Sequence, residues 1–165
     1  MDLPIRLLFV CTGNSCRSII AEALANSMAD GVLLACSAGS HPTGEVNPGA
    51  LAVLQRHGIA VSQPRSKSWH EFEDVAIDLV ITVCDAAAGE SCPAWLGKGI
   101  RAHWGVPDPA AARGDAALIE RAFERTFSEM QERIEALLAL PLRQLSPAEL
   151  AAALGDIQRR LQRPE

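Results

Sequence analysis

The sequence predicts an α/β fold, an open four-stranded parallel sheet with helices on both faces, and three observations lead there. Short, almost wholly apolar runs at Ile5 to Val10 and Leu79 to Val83 are too brief for helices and read as strands buried on both sides. Between such runs lie segments whose apolar residues recur at helical spacing, so strand and helix alternate along the chain. The length, 165 residues, is that of one ordinary domain, enough to bury a substantial core and short for two.

The elements follow in order. The first strand, Ile5 to Val10, is apolar after Arg6. From Ser18 to about Ala29, Ile19, Ile20, Ala23, Leu24 and Met28 mark a helix that Asp30-Gly31 closes. Val32 to Cys36 is the second strand. Asn47-Pro48 supplies an N-cap and a first-turn proline for a helix carrying Leu51, Val53 and Leu54 and stopping at Gly58. Ser68-x-x-Glu71 reads as a capping box that opens a further short helix through about Val75. Leu79 to Val83 and a weaker Ile100 to Trp104 complete the sheet. From Asp115 to Leu140, Ala117, Leu118, Ala122, Phe123, Phe127, Met130, Ile134, Leu137 and Leu138 trace a long amphipathic helix that Pro141 ends. A last helix begins at Ser146-Pro147-x-Glu149.

Composition narrows the function. Hydrophobic residues make up 48% and charged residues 21%, the balance of a folded globular chain. A net charge of −5 argues against a broad nucleic-acid surface, and 4% aromatics with no tyrosine leave little for stacking on bases. No apolar run approaches the ~20 residues that span a bilayer. The start, Met1 to Val10, lacks the basic opening and small-residue cleavage site of a signal peptide, so the expected location is cytoplasmic. Five cysteines, an odd number, point in a reducing compartment to working or core thiols, not to a disulfide framework. They form no Cys-x-x-Cys pair, and His41, His57, His70 and His103 are scattered, so neither a metal nor a bound cofactor is expected.

In an open parallel sheet the site lies beyond the carboxyl ends of the strands. Cys11, Cys84 and the loop to Asp108 follow the first, third and fourth strands, which brings two thiols and a carboxylate to one rim. The first of these loops carries most of the chemistry. Cys11-Thr12-Gly13-Asn14-Ser15-Cys16-Arg17-Ser18 sets a cysteine and an arginine five residues apart, leading directly into a helix. Such a loop can wrap with its N–H groups pointing inward as a nest for a tetrahedral oxyanion, with the positive end of the helix beneath. Gly13 and Asn14 tolerate the backbone this requires, and Arg17 brings a planar fork for two oxyanion oxygens. Facing those groups, Cys11 is expected to be a thiolate nucleophile at neutral pH. Ser18 is placed to donate its hydroxyl to that sulfur. Thr12, Gly13, Asn14, Ser15, Cys16, Arg17 and Ser18 are the expected oxyanion-binding residues.

Val10-Cys11-Thr12-Gly13-Asn14-Ser15-Cys16-Arg17-Ser18, together with Ser37-Ala38-Gly39, Asn47-Pro48 and Asp108-Pro109, resembles the low-molecular-weight protein tyrosine phosphatases and the arsenate reductases that share their fold. The likeness covers about residues 5 to 140, which implies a phosphatase-like catalytic domain over 1–140 and a C-terminal helical extension of unassigned role over 141–165. The phosphatase branch typically follows its Asp-Pro with tyrosines, whereas here Ala110-Ala111-Ala112-Arg113 follow. The reductase branch carries further thiols, and Cys84 and Cys92, with Val80 to Asp85 before and Pro93 after, resemble that pair, as does His103-Trp104-Gly105-Val106-Pro107-Asp108-Pro109.

That likeness implies an arsenate reductase with Cys11, Arg17, Cys84, Cys92 and Asp108 as its catalytic residues. Cys11 attacks arsenate while Asp108 protonates the departing oxygen. Cys84 then attacks Cys11 and arsenite leaves, and Cys92 takes over the disulfide from Cys11. An external dithiol resets the enzyme: thioredoxin, or glutathione with glutaredoxin. The alternative is a phosphatase hydrolysing phosphoesters with Cys11, Arg17 and Asp108 alone. In related reductases a potassium ion sits near the loop, and Glu22, Asn14 and Ser37 match part of that site, but Arg65 and Lys67 are expected to compete with a cation there. Cys36 and Cys16 read as packing thiols, and His103 and Trp104 as residues that pack at a strand end.

Overall fold

The computed structural model of the chain describes residues 2–84, 96 and 99–163. Four parallel strands form one sheet in the order β2-β1-β3-β4: β1 (Ile5–Cys11), β2 (Leu33–Gly39), β3 (Leu79–Thr82) and β4 (Ile100–His103). Around it run α1 (Arg17–Met28), α2 (Pro48–Arg56), α3 (Ala116–Leu138) and α4 (Pro147–Leu161). β1 is central because its side chains have two faces to bury: Leu7, Leu8 and Phe9 are fully buried between neighbours on either side. Arg6, the charged exception, is exposed, and its N–H donates to Asp78 Oδ2 at 2.9 Å.

β2 runs three residues past the expected end at Cys36. Its pairing with β1 continues through Phe9↔Ser37 and Val10↔Ala38 to Cys11↔Gly39, so these two strands end level. Ser37-Ala38-Gly39 is too small to show a strand pattern of its own and is extended because β1 pairs with it. The helices keep most of their expected signals. Asn47 caps α2 by accepting from Gly49 N at 2.8 Å, and Asp115 caps α3 by accepting from Leu118 N at 2.9 Å. The buried stripe of α3 runs over Phe123, Phe127, Met130, Ile134 and Leu137, whereas Leu118, expected on that stripe, is 46% exposed.

The two Ser-x-x-Glu helix starts part ways. At Ser146 a capping box forms: Ser146 Oγ accepts from Glu149 N at 3.2 Å while Glu149 Oε1 accepts from Ser146 N at 3.1 Å. At Ser68 it does not, and the helix expected through Val75 is a short 3₁₀ turn, Trp69–Phe72. Ser68 Oγ accepts from His70 N, and the Glu71 carboxylate turns away to the Arg65 guanidinium, held by two bonds of 2.8 and 3.0 Å.

α4 packs against the edge strand β4 and against α3. A 15-residue helix is marginal by itself. Burial of Leu150, Leu154 and Ile157, at about 1.5–3 kcal/mol for each such side chain, holds it in place. Trp104, fully buried after β4, donates its indole N–H to Leu154 O at 3.2 Å. No helix among the described residues is long and apolar enough to cross a membrane.

Ser146→Ala is expected to lower the thermal midpoint by roughly 2–4 °C, the usual effect of a lost cap in a domain of this size. The Glu149 carboxyl lies below its ordinary range because the Ser146 backbone N–H, and secondarily its side chain, bond to it. Its stabilising share is therefore present above the unfolded carboxylate range and lost as pH falls through the lower folded value. Melts of wild type and Glu149→Gln should differ at neutral pH and converge in acid.

Candidate active site

Between the end of β1 at Cys11 and the start of α1 at Arg17 the chain turns with its carbonyls outward. Thr12 O accepts from His41 N at 2.9 Å, Gly13 O from Thr43 N and from the Ser66 hydroxyl at 3.0 Å each, and Ser15 O from Asn47 N at 3.0 Å. A trans peptide sets C=O and N–H on opposite sides, so these outward carbonyls aim the N–H groups of Gly13, Asn14 and Cys16 inward. Asn14 N lies 3.2 Å from Cys11 Sγ, with Asn14 itself in the left-handed region at φ 46°. α1 starts without a side-chain cap, leaving its positive end facing the loop. The end of β2 must pass close behind: a Cβ on Gly39 would stand 2.5 Å from Thr12 O.

A chain of hydrogen bonds, oriented as far as Ser18, ends on Cys11. Lys67 N donates to Asn14 Oδ1 at 2.9 Å, Asn14 Nδ2 donates to Ser18 Oγ at 2.8 Å, and Ser18 Oγ lies 2.9 Å from Cys11 Sγ. A backbone N–H only donates, which orients the amide, and the amide NH₂ takes one of the two acceptor sites of the Ser18 hydroxyl. The Ser18 hydroxyl keeps its proton for the sulfur when Cys11 is a thiolate, which can only accept. Asn14 and Ser18 are fully buried, so no solvent competes for these bonds.

Lys67 also works through its side chain, at the place where the sequence expects it to compete with a cation. Its ammonium donates to Ser37 Oγ at 3.3 Å and Arg65 O at 3.0 Å, and Ser37 Oγ in turn donates to Glu22 Oε2 at 3.3 Å. Burial pushes the Glu22 carboxyl up, opposed by Lys67, and burial lowers the Lys67 ammonium, opposed by Glu22. Of the two cations expected to compete for this place, only Lys67 reaches Ser37, because the Arg65 guanidinium is engaged by Glu71. Among the described residues no group of three or more His, Cys, Asp or Glu side chains gathers to hold a metal ion.

The other expected residues converge on the same rim. Arg17 Nη1 donates to Val106 O at 2.9 Å and Nη2 lies 3.8 Å from Asp108 Oδ2. Asp108 is half exposed, and its Oδ1 accepts from Ala110 N at 3.0 Å. Val83 N bonds to Val10 O beside the loop, and the buried Cys84 follows with its Sγ 3.7 Å from Thr12 Oγ1. Cys92 lies outside the described residues. Arg17, Cys84 and Asp108 border a cavity of about 500 Å³ whose far wall includes Arg133 and Gln158, neither singled out by the sequence. The packing thiols are held protonated by burial, Cys16 pushed up to about 11 and Cys36 to about 12. His103 Nδ1 pairs with Thr82 Oγ1 at 2.8 Å at the strand end. Chemically, the arrangement can seat a tetrahedral oxyanion over a nucleophilic sulfur, with a carboxylate and a second sulfur alongside.

Comparison with known proteins agrees with this geometry. The family model described as low molecular weight phosphotyrosine protein phosphatase matches residues 6–151. An arsenate reductase of Halalkalibacterium halodurans is 36% identical over 129 residues, 78% of this chain and 91% of that one. The solved structure of an arsenate reductase from Archaeoglobus fulgidus superposes with a TM-score of 0.64 at 26% identity, over 81% of this chain and 99% of that one. A thioredoxin-dependent arsenate reductase of Corynebacterium glutamicum gives 0.59 at 28% identity, over 80% of this chain and 61% of that one.

Asn14→Asp keeps the acceptor for Lys67 N but removes the donor to Ser18, freeing the Ser18 hydroxyl to turn from Cys11 to the new carboxylate. Alkylation of Cys11 by iodoacetamide at pH 7 is expected to slow by about tenfold, the scale of one charge-assisted hydrogen bond. Peptide mapping of the alkylated sites measures it.

Proposed function

We propose that this chain, which belongs to the low molecular weight phosphotyrosine protein phosphatase family, is an arsenate reductase that works through a thiol relay. One observation carries the reading: a second buried thiol, Cys84, stands 3.7 Å from Thr12 at the edge of the oxyanion loop. Ester hydrolysis needs Cys11, Arg17 and Asp108 and has no use for that sulfur. The Ala110-Ala111-Ala112 stretch after Asp108-Pro109 supports the same choice, since it offers no aromatic wall for an aryl phosphate.

In the reaction, the N–H groups of residues 12–18 and the Arg17 fork hold arsenate while the Cys11 thiolate attacks arsenic. Asp108 donates a proton to the oxygen that departs as water. The Cys84 thiolate then attacks Cys11 Sγ. The electron pair of the sulfur–arsenic bond passes to arsenic, reducing it from the +5 to the +3 state, and arsenite leaves a Cys11–Cys84 disulfide. The Cys92 thiolate attacks Cys84 Sγ and releases Cys11 as a thiolate, which Ser18 and the loop N–H groups stabilise as leaving group. A dithiol reductant, thioredoxin in the first instance or glutaredoxin with glutathione, reduces the Cys84–Cys92 bond and completes the cycle.

The test follows NADPH loss with pure protein, arsenate, thioredoxin and its reductase, and runs the glutaredoxin system in parallel. Arsenate-dependent NADPH consumption is expected, and Cys11→Ser should abolish it while still binding arsenate. Mapping of disulfides after one turnover should find Cys84–Cys92 in wild type and Cys11–Cys84 in Cys92→Ser, and Cys84→Ser should release no arsenite. A Cys11–Cys16 bond in wild type would overturn the relay and favour a phosphatase whose neighbouring thiol protects the nucleophile.

A further inference from the structure

The segment Gly105 to Asp108 bears the proposed acid and has no regular structure of its own, so its place depends on what grips it. On one side Arg17 donates to Val106 O. On the other side the grip comes from α4. Gln158 Nε2 donates to Gly105 O at 3.3 Å, and Gln158 Oε1 accepts from Arg133 Nε at 2.9 Å. Arg133 is 1% exposed, and its Nη1 donates to Glu129 O at 2.9 Å, so this guanidinium is anchored within α3 and cannot swing to follow the loop.

The polarity of the bridge demands a side chain that both accepts and donates. Arg133 offers donors alone and Gly105 O accepts alone, so the residue between them must accept on one side and donate on the other, as a carboxamide does. Gln158 lies beyond residue 151, where the family match ends. The same turn of α4 receives the Trp104 indole through Leu154 O, which fixes the residue just before the gripped segment.

We propose that Gln158 is a positioning residue for the reaction: the C-terminal helix, through the Arg133–Gln158–Gly105 bridge, holds Gly105 to Asp108 in register with Arg17 and so aims the Asp108 carboxyl at the departing oxygen. This rests on the reading of Asp108 as the acid. A carboxyl group misplaced by an ångström transfers its proton poorly while the oxyanion still binds, so the loss falls on the chemical step and not on arsenate affinity.

The test is single-turnover arsenite formation by the full chain as a function of arsenate concentration. Gln158→Glu keeps an acceptor, now charged, for Arg133 and sets a carboxylate against Gly105 O. Gln158→Met removes both bonds. Both are expected to lower the limiting rate on the order of tenfold and to leave the half-saturating arsenate concentration unchanged within about twofold. In an Asp108→Asn background the same substitutions should add less than about twofold, because residues acting through one group are not additive. Wild-type limiting rates in both Gln158 variants would overturn the proposal, as would an undiminished loss in the Asp108→Asn background. If wild type makes no arsenite at all, the reductase reading fails by itself. The positioning role is then judged by the same cycle on hydrolysis of phenyl phosphate, whose poor leaving group needs the same proton.

Discussion

The outward turn of the carbonyls between Cys11 and Arg17 is the constraint on which the rest of the site depends. A peptide cannot present its N–H to a ligand unless its C=O has somewhere else to go, and here every outward carbonyl named has a partner from a distant segment: His41, Thr43, Asn47 and Ser66. The nucleophile loop is therefore not a local motif completed by its own eight residues. Its shape is imposed by the chain that leaves β2, enters α2 and returns before Trp69, and Gly39 is the point where that chain must come within contact of Thr12.

The groups around each sulfur distinguish the thiols more than burial or sequence neighbourhood does. Cys11 and Cys16 share one loop, yet Cys16 is held protonated by desolvation, and Cys36 likewise at the strand beyond. Cys11, just as buried, stands beside the inward N–H of Asn14 and the hydroxyl of Ser18. Desolvation by itself disfavours a thiolate, and donors aimed at the sulfur work against that penalty.

The strands and the nucleophile loop were legible in the sequence because their signals are local: a short apolar run, a glycine and an asparagine in a turn, an arginine at fixed spacing. Asn14 was readable as a residue that tolerates the turn, but its bond to Lys67 spans 53 positions and leaves no mark on either neighbourhood. Gln158 and Arg133 were invisible for the same reason, being 25 positions apart on two helices that read as ordinary amphipathic segments. The capping boxes show a local signal overruled. Ser68 and Glu71 have the spacing that works at Ser146 and Glu149, but Arg65 offers Glu71 a bidentate partner that a backbone N–H does not match.

Lys67 has a consequence for the setting in which the molecule works. An ion drawn from solution to sit among Ser37, Glu22 and the loop would come and go with the ionic make-up of its surroundings, and the order of the loop would come and go with it. The Lys67 ammonium is on a covalent leash whose own backbone N–H grips Asn14. Its local concentration is set by four methylene groups and not by any reservoir. The positive charge beneath the nucleophile loop thus arrives with the folded chain, in every ionic medium, as a component that dilution cannot remove.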